Sequence, residues 1–254
     1  MSEVAGNEGG NILSTIKEII WQMLYPKRCV ICDQILESDR QYLCRHCENI
    51  PQYIGRHYCL KCGKPVGEEE EYCRECKGRE TSYLCGRAVF LYDTFMQTSI
   101  SRFKYQGRQE YAAYYARQMY QVLGEWIEQT KADALIPVPI HKKRRRKRGF
   151  NQAEVLAEQL SGLCCIPVLE DFLIRTRNTL PQKELTQKER MHNLEGAFQI
   201  NAKQEEKLNR NMKCVIIVDD IFTTGSTIES CSKVLKSYGV ERIYFLSICT
   251  GYGF

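Results

Sequence analysis

Long apolar runs are missing from this sequence of 254 residues. No run approaches the roughly 18 consecutive apolar residues that suggest a membrane-spanning helix. The N-terminal stretch MSEVAGNEGG is polar and acidic, and it lacks the basic and apolar regions of a secretory signal peptide. Both absences argue against a membrane-spanning or secreted protein, so we expect a cytoplasmic protein with no membrane span.

An excess of charge or of polar residues is also missing. Hydrophobic residues make up 43% of the chain and charged residues 26%, which is usual for a soluble globular protein. The length allows one or two domains with a sizeable core. The net charge of +5 is small, but its distribution is uneven, because residues 142–148 are all Lys or Arg.

Cysteine, in contrast, is abundant. Eight of the 14 cysteines form four CxxC pairs: Cys29/Cys32, Cys44/Cys47, Cys59/Cys62 and Cys73/Cys76. A disulfide framework is disfavoured in a cytosolic chain. Each CxxC pair places two thiolates on one tight turn, and two such turns complete a tetrahedral site of four sulfurs. The pattern predicts two structural zinc sites, and it fits iron or a redox motif less well.

The spacing of the pairs favours sequential over interleaved pairing. The intervals 33–43 and 63–72 are long enough for a hairpin to return the second turn to the first, and Gly63 permits a left-handed turn. We therefore predict a double zinc ribbon over residues 26–84. Before it, apolar residues at helical spacing over residues 12–24 predict an amphipathic helix in an N-terminal arm, residues 1–25.

Residues 215–227, VIIVDDIFTTGST, form the most informative segment. Four apolar residues are typical of a strand buried on both faces of a parallel sheet. Asp219 and Asp220 follow, and then comes a polar turn before an apolar-periodic helix. Free N–H groups at the start of a helix, together with nearby hydroxyls, make an anion site. The turn residues expected to hold a phosphate are Thr223, Thr224, Gly225, Ser226 and Thr227.

The two carboxylates suit vicinal sugar hydroxyls, because ionised carboxylates accept hydrogen bonds. A purely structural strand–turn–helix, with capping Asp and Thr residues, is the alternative. The complete order of elements resembles the phosphoribosyl-pyrophosphate (PRPP) signature of type I phosphoribosyltransferases. That resemblance implies that Asp219 and Asp220 hold the ribose hydroxyls and that residues 223–227 hold the 5-phosphate.

Strands and helices alternate after residue 84. Predicted strands cover residues 88–92, 135–138, 215–218 and 242–248, and predicted helices cover residues 96–105, 111–129, 152–160, 186–194 and 228–237. This alternation predicts an α/β fold with a parallel sheet between helices. Ligands bind at the carboxyl ends of such strands, so Asp219, Asp220 and the loop after Val138 are expected at one edge.

The basic run at residues 142–148 lies in that second loop. Dense like charge repels, and a solvated loop is the simplest interpretation. The run could also neutralise nucleic-acid phosphates. Position favours a third interpretation for part of the run, in which it meets a pyrophosphate group. Seven charges exceed what one pyrophosphate needs, so these interpretations are compatible.

Taken together, the motifs resemble the ComF family of competence-associated proteins. They comprise the four CxxC pairs, FKYQGR (103–108), PVPIHKKRRRKRGFNQA (137–153), RTRNTLPQKELTQKERMHNLEGAF (175–198) and VIIVDDIFTTGST. The resemblance covers residues 26–250. It implies a type I phosphoribosyltransferase-like parallel sheet flanked by helices, over residues 85–254, preceded by the small zinc-ribbon domain.

The resemblance also carries expectations about ligands. It places Arg148, Asn151 and Gln152 beside the pyrophosphate loop, Lys104 and Arg108 near the pocket, and residues 175–198 as a hood over the sugar. PRPP would bind with Mg²⁺, alongside two structural zinc ions. The family is linked to natural transformation, so single-stranded DNA and a competence helicase are the implied partners.

Turnover stays open at this point, because the nucleophile in phosphoribosyl transfer comes with the second substrate and catalysis is mainly positioning. We favour PRPP binding in a DNA-uptake role. The alternatives are an active Mg-dependent phosphoribosyltransferase of nucleotide metabolism and a nucleic-acid-binding zinc-ribbon adaptor without turnover. Residues 175–198 do not identify a purine or pyrimidine pocket.

Overall fold

The computed structural model describes residues 25–177, 194, 196–205 and 212–253. The chain divides into two compact units, one ending at Ile50 and the other beginning at Pro51. The predicted domain boundary after residue 84 stays a prediction. The predicted helix at residues 12–24 lies outside the described residues, and so does most of the expected hood at residues 175–198.

The larger unit alternates strands and helices, as the sequence pattern predicts. Its elements in chain order are β1 (Cys85–Leu91), α1 (Thr94–Tyr105), α2 (Tyr111–Thr130), β2 (Ala134–Pro137), α3 (Lys142–Arg148), α4 (Gln152–Cys164), β3 (Leu173–Arg175), β4 (Phe198–Ile200), α5 (Ala202–Glu205), β5 (Cys214–Phe222), α6 (Ser226–Ser237) and β6 (Arg242–Thr250). In this part of the chain, no helix has the length and apolar character that crossing a membrane requires.

Four strands form a parallel sheet in the order β1-β6-β5-β2. The apolar run that opens β5 is buried, and neighbouring strands pair with it on both edges. Pro137, the last residue of β2, pairs with Val218. The carboxyl end of β2 therefore lies beside Asp219 and Asp220, as the predicted sheet requires.

Helices flank this sheet and complete its core. α2 and α4 pack against each other and against the strands, α2 on β1 and α4 on β2 and β5. Alternate residues of β5, Val215 and Ile217, belong to one buried cluster with Ile228 and Leu235 of α6. Four cysteines, Cys59, Cys62, Cys73 and Cys76, lie in that same cluster. The parallel sheet with flanking helices confirms the predicted fold class.

Several elements differ from the prediction. The basic run forms helix α3 instead of a loop. An antiparallel hairpin, β3–β4, was not predicted because its strands are only 3 residues long. β5 continues through both aspartates to Phe222, so these residues lie within the strand and not beyond its end.

Candidate functional site

Two groups of cysteine side chains converge in space. The first cysteine group is Cys29, Cys32, Cys44 and Cys47, and the second is Cys59, Cys62, Cys73 and Cys76. Within each group all four sulfurs lie within 4.8 Å of one another. The pairing is therefore sequential, as predicted, and all eight cysteines are free of disulfides.

The geometry of both groups fits zinc. A Zn–S bond of about 2.3 Å in a tetrahedron separates the sulfurs by about 3.8 Å. The Cys32 and Cys44 sulfurs are 3.7 Å apart, and those of Cys62 and Cys73 are 3.6 Å apart. The backbone N–H of Cys44 also points at the sulfur of Cys29, at 3.5 Å, which suits a thiolate ligand.

A second site lies near the carboxyl end of β5. The Asp220 carboxylate pairs with the ammonium group of Lys104 in α1 at 2.8 Å, and both side chains are largely buried. The carboxylate of Asp219 accepts a hydrogen bond from the backbone N–H of Asp220 at 2.9 Å. Both aspartates are intermediate in exposure, so this acidic pair is only partly shielded from solvent.

Burial and the interactions between these charged groups change the pKa values at the site. Desolvation and the neighbouring Asp220 raise the pKa of Asp219 to about 7. Burial alone would lower the pKa of Lys104, but the attraction of Asp220 and then Asp219 outweighs it and raises that pKa. At neutral pH the site therefore holds a fixed cation and one carboxyl that is close to its titration point.

Residues 223–227, which we call the phosphate loop, connect this acidic pair to α6. Gly225 precedes the helix with a φ of 77°, a left-handed conformation that glycine adopts without strain. The hydroxyls of Thr224 and Ser226 lie 3.0 Å apart. Since the first N–H groups of a helix have no acceptor within it, the loop places donors and hydroxyls together.

Comparisons with known proteins agree with this arrangement. A model of the double zinc ribbon domain matches residues 20–77, and a model of the phosphoribosyl transferase domain matches residues 114–251. The chain is 33% identical over 219 residues to competence protein F of Haemophilus influenzae, covering 85% of this chain and 93% of that protein. The chain belongs to the ComF family.

Two further relatives have similar coverage. Competence protein ComFC of Bacillus subtilis is 28% identical over 83% of this chain and 89% of its own length. The DNA utilization protein YhgH of Escherichia coli K12 is 26% identical over 88% of this chain and 97% of its own length. The resemblance to the ComF family is confirmed, together with its double zinc ribbon and phosphoribosyltransferase domain.

In this ComF protein the basic run is a capped and partly neutralised helix. The His141 ring accepts a hydrogen bond from the N–H of Lys143 at the start of α3, and Gly149 ends it with a φ of 86°. Arg145 pairs with Glu154 at 2.7 Å. None of the residues of α3 is buried, so most of its cations face solvent.

Arg148 links this helix to the acidic site. Its guanidinium donates to Gln152 at 2.8 Å and to the Tyr105 hydroxyl at 3.0 Å. Gln152 in turn donates to the backbone carbonyl of Lys104 at 3.4 Å. Arg148 and Gln152 therefore lie beside the residue that pairs with Asp220.

Asn151 has a structural role in this arrangement. It is buried, its amide donates to the Val138 carbonyl at 3.0 Å, and its oxygen accepts from the Ala153 N–H at 3.3 Å, which caps α4. Asn151 thus fixes the loop from β2 against α4. Its direct contact with a ligand stays a prediction.

Other contacts at the site were not predicted from the sequence. The ion pair of Lys104 with Asp220 joins residues 116 positions apart. Arg175, at the end of β3, lies close enough to Arg144 and Asp219 to feel both charges, and burial followed by Arg144 lowers its pKa to about 10. Arg79 and Ser82, which follow the second cysteine group in the chain, contact the phosphate loop and α6.

Proposed function

We propose that this protein binds PRPP with Mg²⁺ and acts in the cytoplasmic handling of single-stranded DNA during DNA uptake. One observation carries the PRPP part of the proposal. Asp219 and Asp220 lie near the end of β5, and the phosphate loop follows Phe222, the last residue of that strand. Carboxylates that can accept from ribose hydroxyls are thereby placed next to donors for a 5-phosphate.

Lys104 supports the same ligand. Its ammonium group pairs with the carboxylate of Asp220 at 2.8 Å. A buried lysine beside a carboxylate pair also provides a cation for the negatively charged groups of PRPP. The carboxylate of Asp220 keeps its second oxygen for a hydroxyl while the ammonium group holds the first. Lys104 therefore fixes the orientation of Asp220 before the sugar arrives.

The metal requirement follows from the ligand's charge. Bound Mg²⁺ would offset the charge of the pyrophosphate, held largely by pyrophosphate and sugar oxygens because magnesium keeps few protein ligands beside phosphates. The residue of this chain that we expect to face the pyrophosphate is Arg148, which Tyr105 and Gln152 hold in place. We propose Arg148 and Gln152 as residues of the pyrophosphate side of the pocket, with Asn151 beside them.

The DNA part of the proposal is supported by α3 and by the relatives. Their names refer to competence and to DNA utilization. α3 presents seven Lys and Arg residues and buries none of them. Cations on one exposed helix can neutralise several backbone phosphates. A competence helicase is the partner that we propose for this protein on the DNA.

Turnover is a second candidate function, favoured by the match to the phosphoribosyl transferase domain. In such a reaction the residues described above bind and orient the sugar, and the second substrate brings the nucleophile. Pyrophosphate release in the presence of candidate acceptors, including purines, pyrimidines and single-stranded DNA, tests this candidate. A nucleic-acid-binding zinc-ribbon adaptor without turnover is the third candidate, and it would rest on the two cysteine groups and on α3.

Calorimetry with PRPP and Mg²⁺ tests the main proposal. Changing both Asp219 and Asp220 to Asn keeps the side-chain shape and removes two charged acceptors. Because hydrogen bonds to charged groups contribute about 1.5–3 kcal/mol each, we expect affinity to fall by about two orders of magnitude. Gly225→Val should also abolish binding, since its Cβ would lie 3.0 Å from the Phe222 ring and its φ is positive.

Asp133→Asn is the matched control. Asp133 accepts hydrogen bonds from Lys213 and Cys214 at the opposite end of β5, so this change weakens the strand without touching the site. PRPP affinity should stay within about twofold of wild type, as for a site without shared contacts. If wild type fails to bind PRPP, or the double variant binds equally well, the phosphate loop is a structural turn and the adaptor function replaces the proposal.

A further inference from the structure

The second cysteine group is connected to the phosphate loop by a short segment. Residues 79–83 follow the last cysteine of the group and lead into β1. The N–H of Arg79 donates to the carbonyl of Cys76 at 3.1 Å, so the segment begins at the cysteine turn itself. At its far end Leu84 donates to the Ile243 carbonyl at 2.8 Å, which fixes the segment on the sheet.

Arg79 reaches the phosphate loop directly. Its guanidinium donates to the backbone carbonyl of Thr224 at 3.3 Å. This carbonyl is in the middle of the loop, one residue before the left-handed Gly225. A bound carbonyl fixes the peptide plane between Thr224 and Gly225, and the N–H on the other side of that plane is fixed with it.

Ser82 holds the start of α6 in the same way. Its N–H and its hydroxyl both donate to the carboxylate of Glu229, each at 2.9 Å. Glu229 is buried in the first turn of the helix, and its own N–H donates to the Gly225 carbonyl at 2.8 Å. Two hydrogen bonds to one carboxylate restrict both the position and the rotation of this first turn.

Tyr83 packs beneath the phosphate loop. Its ring meets Phe245 edge to face, and Phe245 stacks on Phe222 with ring centroids 4.5 Å apart. A Cβ at Gly225 would lie 3.3 Å from the Tyr83 hydroxyl and 3.0 Å from the Phe222 ring. The loop therefore rests on an aromatic layer that the segment from the cysteine group helps to build.

We infer that Arg79 and Ser82 are positioning residues for the phosphate loop, and that through them the second cysteine group sets the geometry in which a sugar 5-phosphate is bound. This inference rests on the proposed function. Neither side chain needs to touch the ligand. Donors for a phosphate are effective only when they are aligned beforehand, so holding one carbonyl and one helical turn controls affinity.

Amide hydrogen exchange tests the positioning without any ligand. Arg79→Ala should speed exchange at residues 223–229 by about tenfold, the effect expected when a charge-assisted hydrogen bond is lost. Ser82→Ala should speed exchange mainly at the first turn of α6. Arg87→Ala is the matched control, because Arg87 donates to the Leu60 carbonyl at 3.1 Å and so ties the same cysteine group to β1 away from the loop. Unchanged exchange in Arg79→Ala overturns the inference.

Ligand binding separates positioning from general stability. Arg79→Ala should weaken ribose 5-phosphate and PRPP by roughly tenfold, leave the affinity for pyrophosphate alone unchanged, and be partly rescued by Arg79→Lys. An equal loss for all three ligands in Arg79→Ala and Arg87→Ala would show a purely structural role and overturn the inference. If wild type binds no PRPP, the proposed function fails, whereas faster exchange in Arg79→Ala would still support the positioning role.

Discussion

The two cysteine groups repeat the same backbone hydrogen bonds. The N–H of Cys29 donates to the Gln34 carbonyl at 2.8 Å, and the N–H of Cys59 donates to the Lys64 carbonyl at 2.7 Å. Each second CxxC turn closes with a bond of 2.9 Å, from Cys47 to Cys44 and from Cys76 to Cys73. The groups are two copies of one local design.

Their surroundings differ. The first cysteine group lies in the compact unit that ends at Ile50, and Cys32 and Cys44 remain partly exposed. The second lies in the larger unit, where all four cysteines are buried and belong to the cluster beneath the sheet. The same metal-binding design therefore serves as a small independent core in one copy and as part of a larger core in the other.

The residue with a positive φ after the first CxxC pair of each group reflects this difference in surroundings. Asp33 has a φ of 66° and Gly63 a φ of 74°, so both turns need the same backbone conformation. A Cβ at Gly63 would lie 2.9 Å from the Gly86 carbonyl and 3.0 Å from the Cα of Arg87. Packing against β1 requires glycine in the second turn, whereas the first turn accommodates Asp33, whose carboxylate lies 3.8 Å from the guanidinium of Arg28.

Removing one ligand from each group should have the largest effect and separate the two copies. Cys62→Ser and Cys32→Ser should each lower the zinc content from two ions to one. Because metal binding supplies folding free energy, Cys62→Ser should destabilise the larger unit by more than about 3 kcal/mol and abolish PRPP binding. Elemental analysis, thermal unfolding and calorimetry measure these changes.

Cys32→Ser is the control in that experiment. It should leave the unfolding of the larger unit and the affinity for PRPP unchanged. Equal loss of PRPP binding in both variants would show that the first cysteine group also supports the site, and the contrast between the copies would disappear.

Exchanging the left-handed residues should have an intermediate effect. Gly63→Asp places the first copy's residue in the second copy and should cost about 2–3 kcal/mol of unfolding free energy, from backbone strain and the contact with β1. Asp33→Gly should change stability by less than about 1 kcal/mol, since glycine accepts the same φ. Denaturant unfolding measures both. A similar cost for the two variants would contradict the packing argument.

A change of pH should give the smallest effect. The group that we expect to titrate, Asp219, belongs to the larger unit. Its pKa of about 7 in the folded protein lies above the ordinary value for Asp, so the folded state binds this proton more tightly than the unfolded state. The contribution of Asp219 to the free energy of unfolding is therefore greatest at acid pH, and it is lost as the pH rises towards 7.

Asp219→Asn removes that titration. The variant should gain stability relative to wild type between pH 6 and pH 8, on the order of 1 kcal/mol. Thermal unfolding at both pH values provides the measurement, with Asp133→Asn as the control. If the stability of wild type and of Asp219→Asn depended on pH in the same way, Lys104 would be keeping the Asp219 carboxylate ionised throughout.

Local pattern was enough to predict much of this molecule. The CxxC spacing predicted both cysteine groups and their pairing, since each group closes within 20 residues of chain. The apolar run before Asp219 predicted a buried strand, and the glycine and hydroxyls after it predicted the start of a helix. These signals depend on neighbours in sequence, and they appear in the structure with small shifts of boundary.

Contacts between distant segments could not be predicted in this way. Arg79 meets Thr224 across 145 residues and Ser82 meets Glu229 across 147, and neither pair has a spacing that marks it. Helix α3 was missed because seven like charges oppose a helix. Capping by His141 and the ion pair with Glu154 stabilise it, and the second depends on tertiary structure.

The attachment of the second cysteine group to the sheet provides a built-in optical signal. The Arg87 guanidinium lies 4.5 Å from the centre of the Tyr58 ring and 5.5 Å from that of the Trp126 ring, and Trp126 also meets Tyr244 edge to face. Indole emission depends on nearby charge and on solvent. The fluorescence of Trp126 should therefore follow the release of this cysteine group from β1, with Trp21→Phe removing the only other tryptophan from the background.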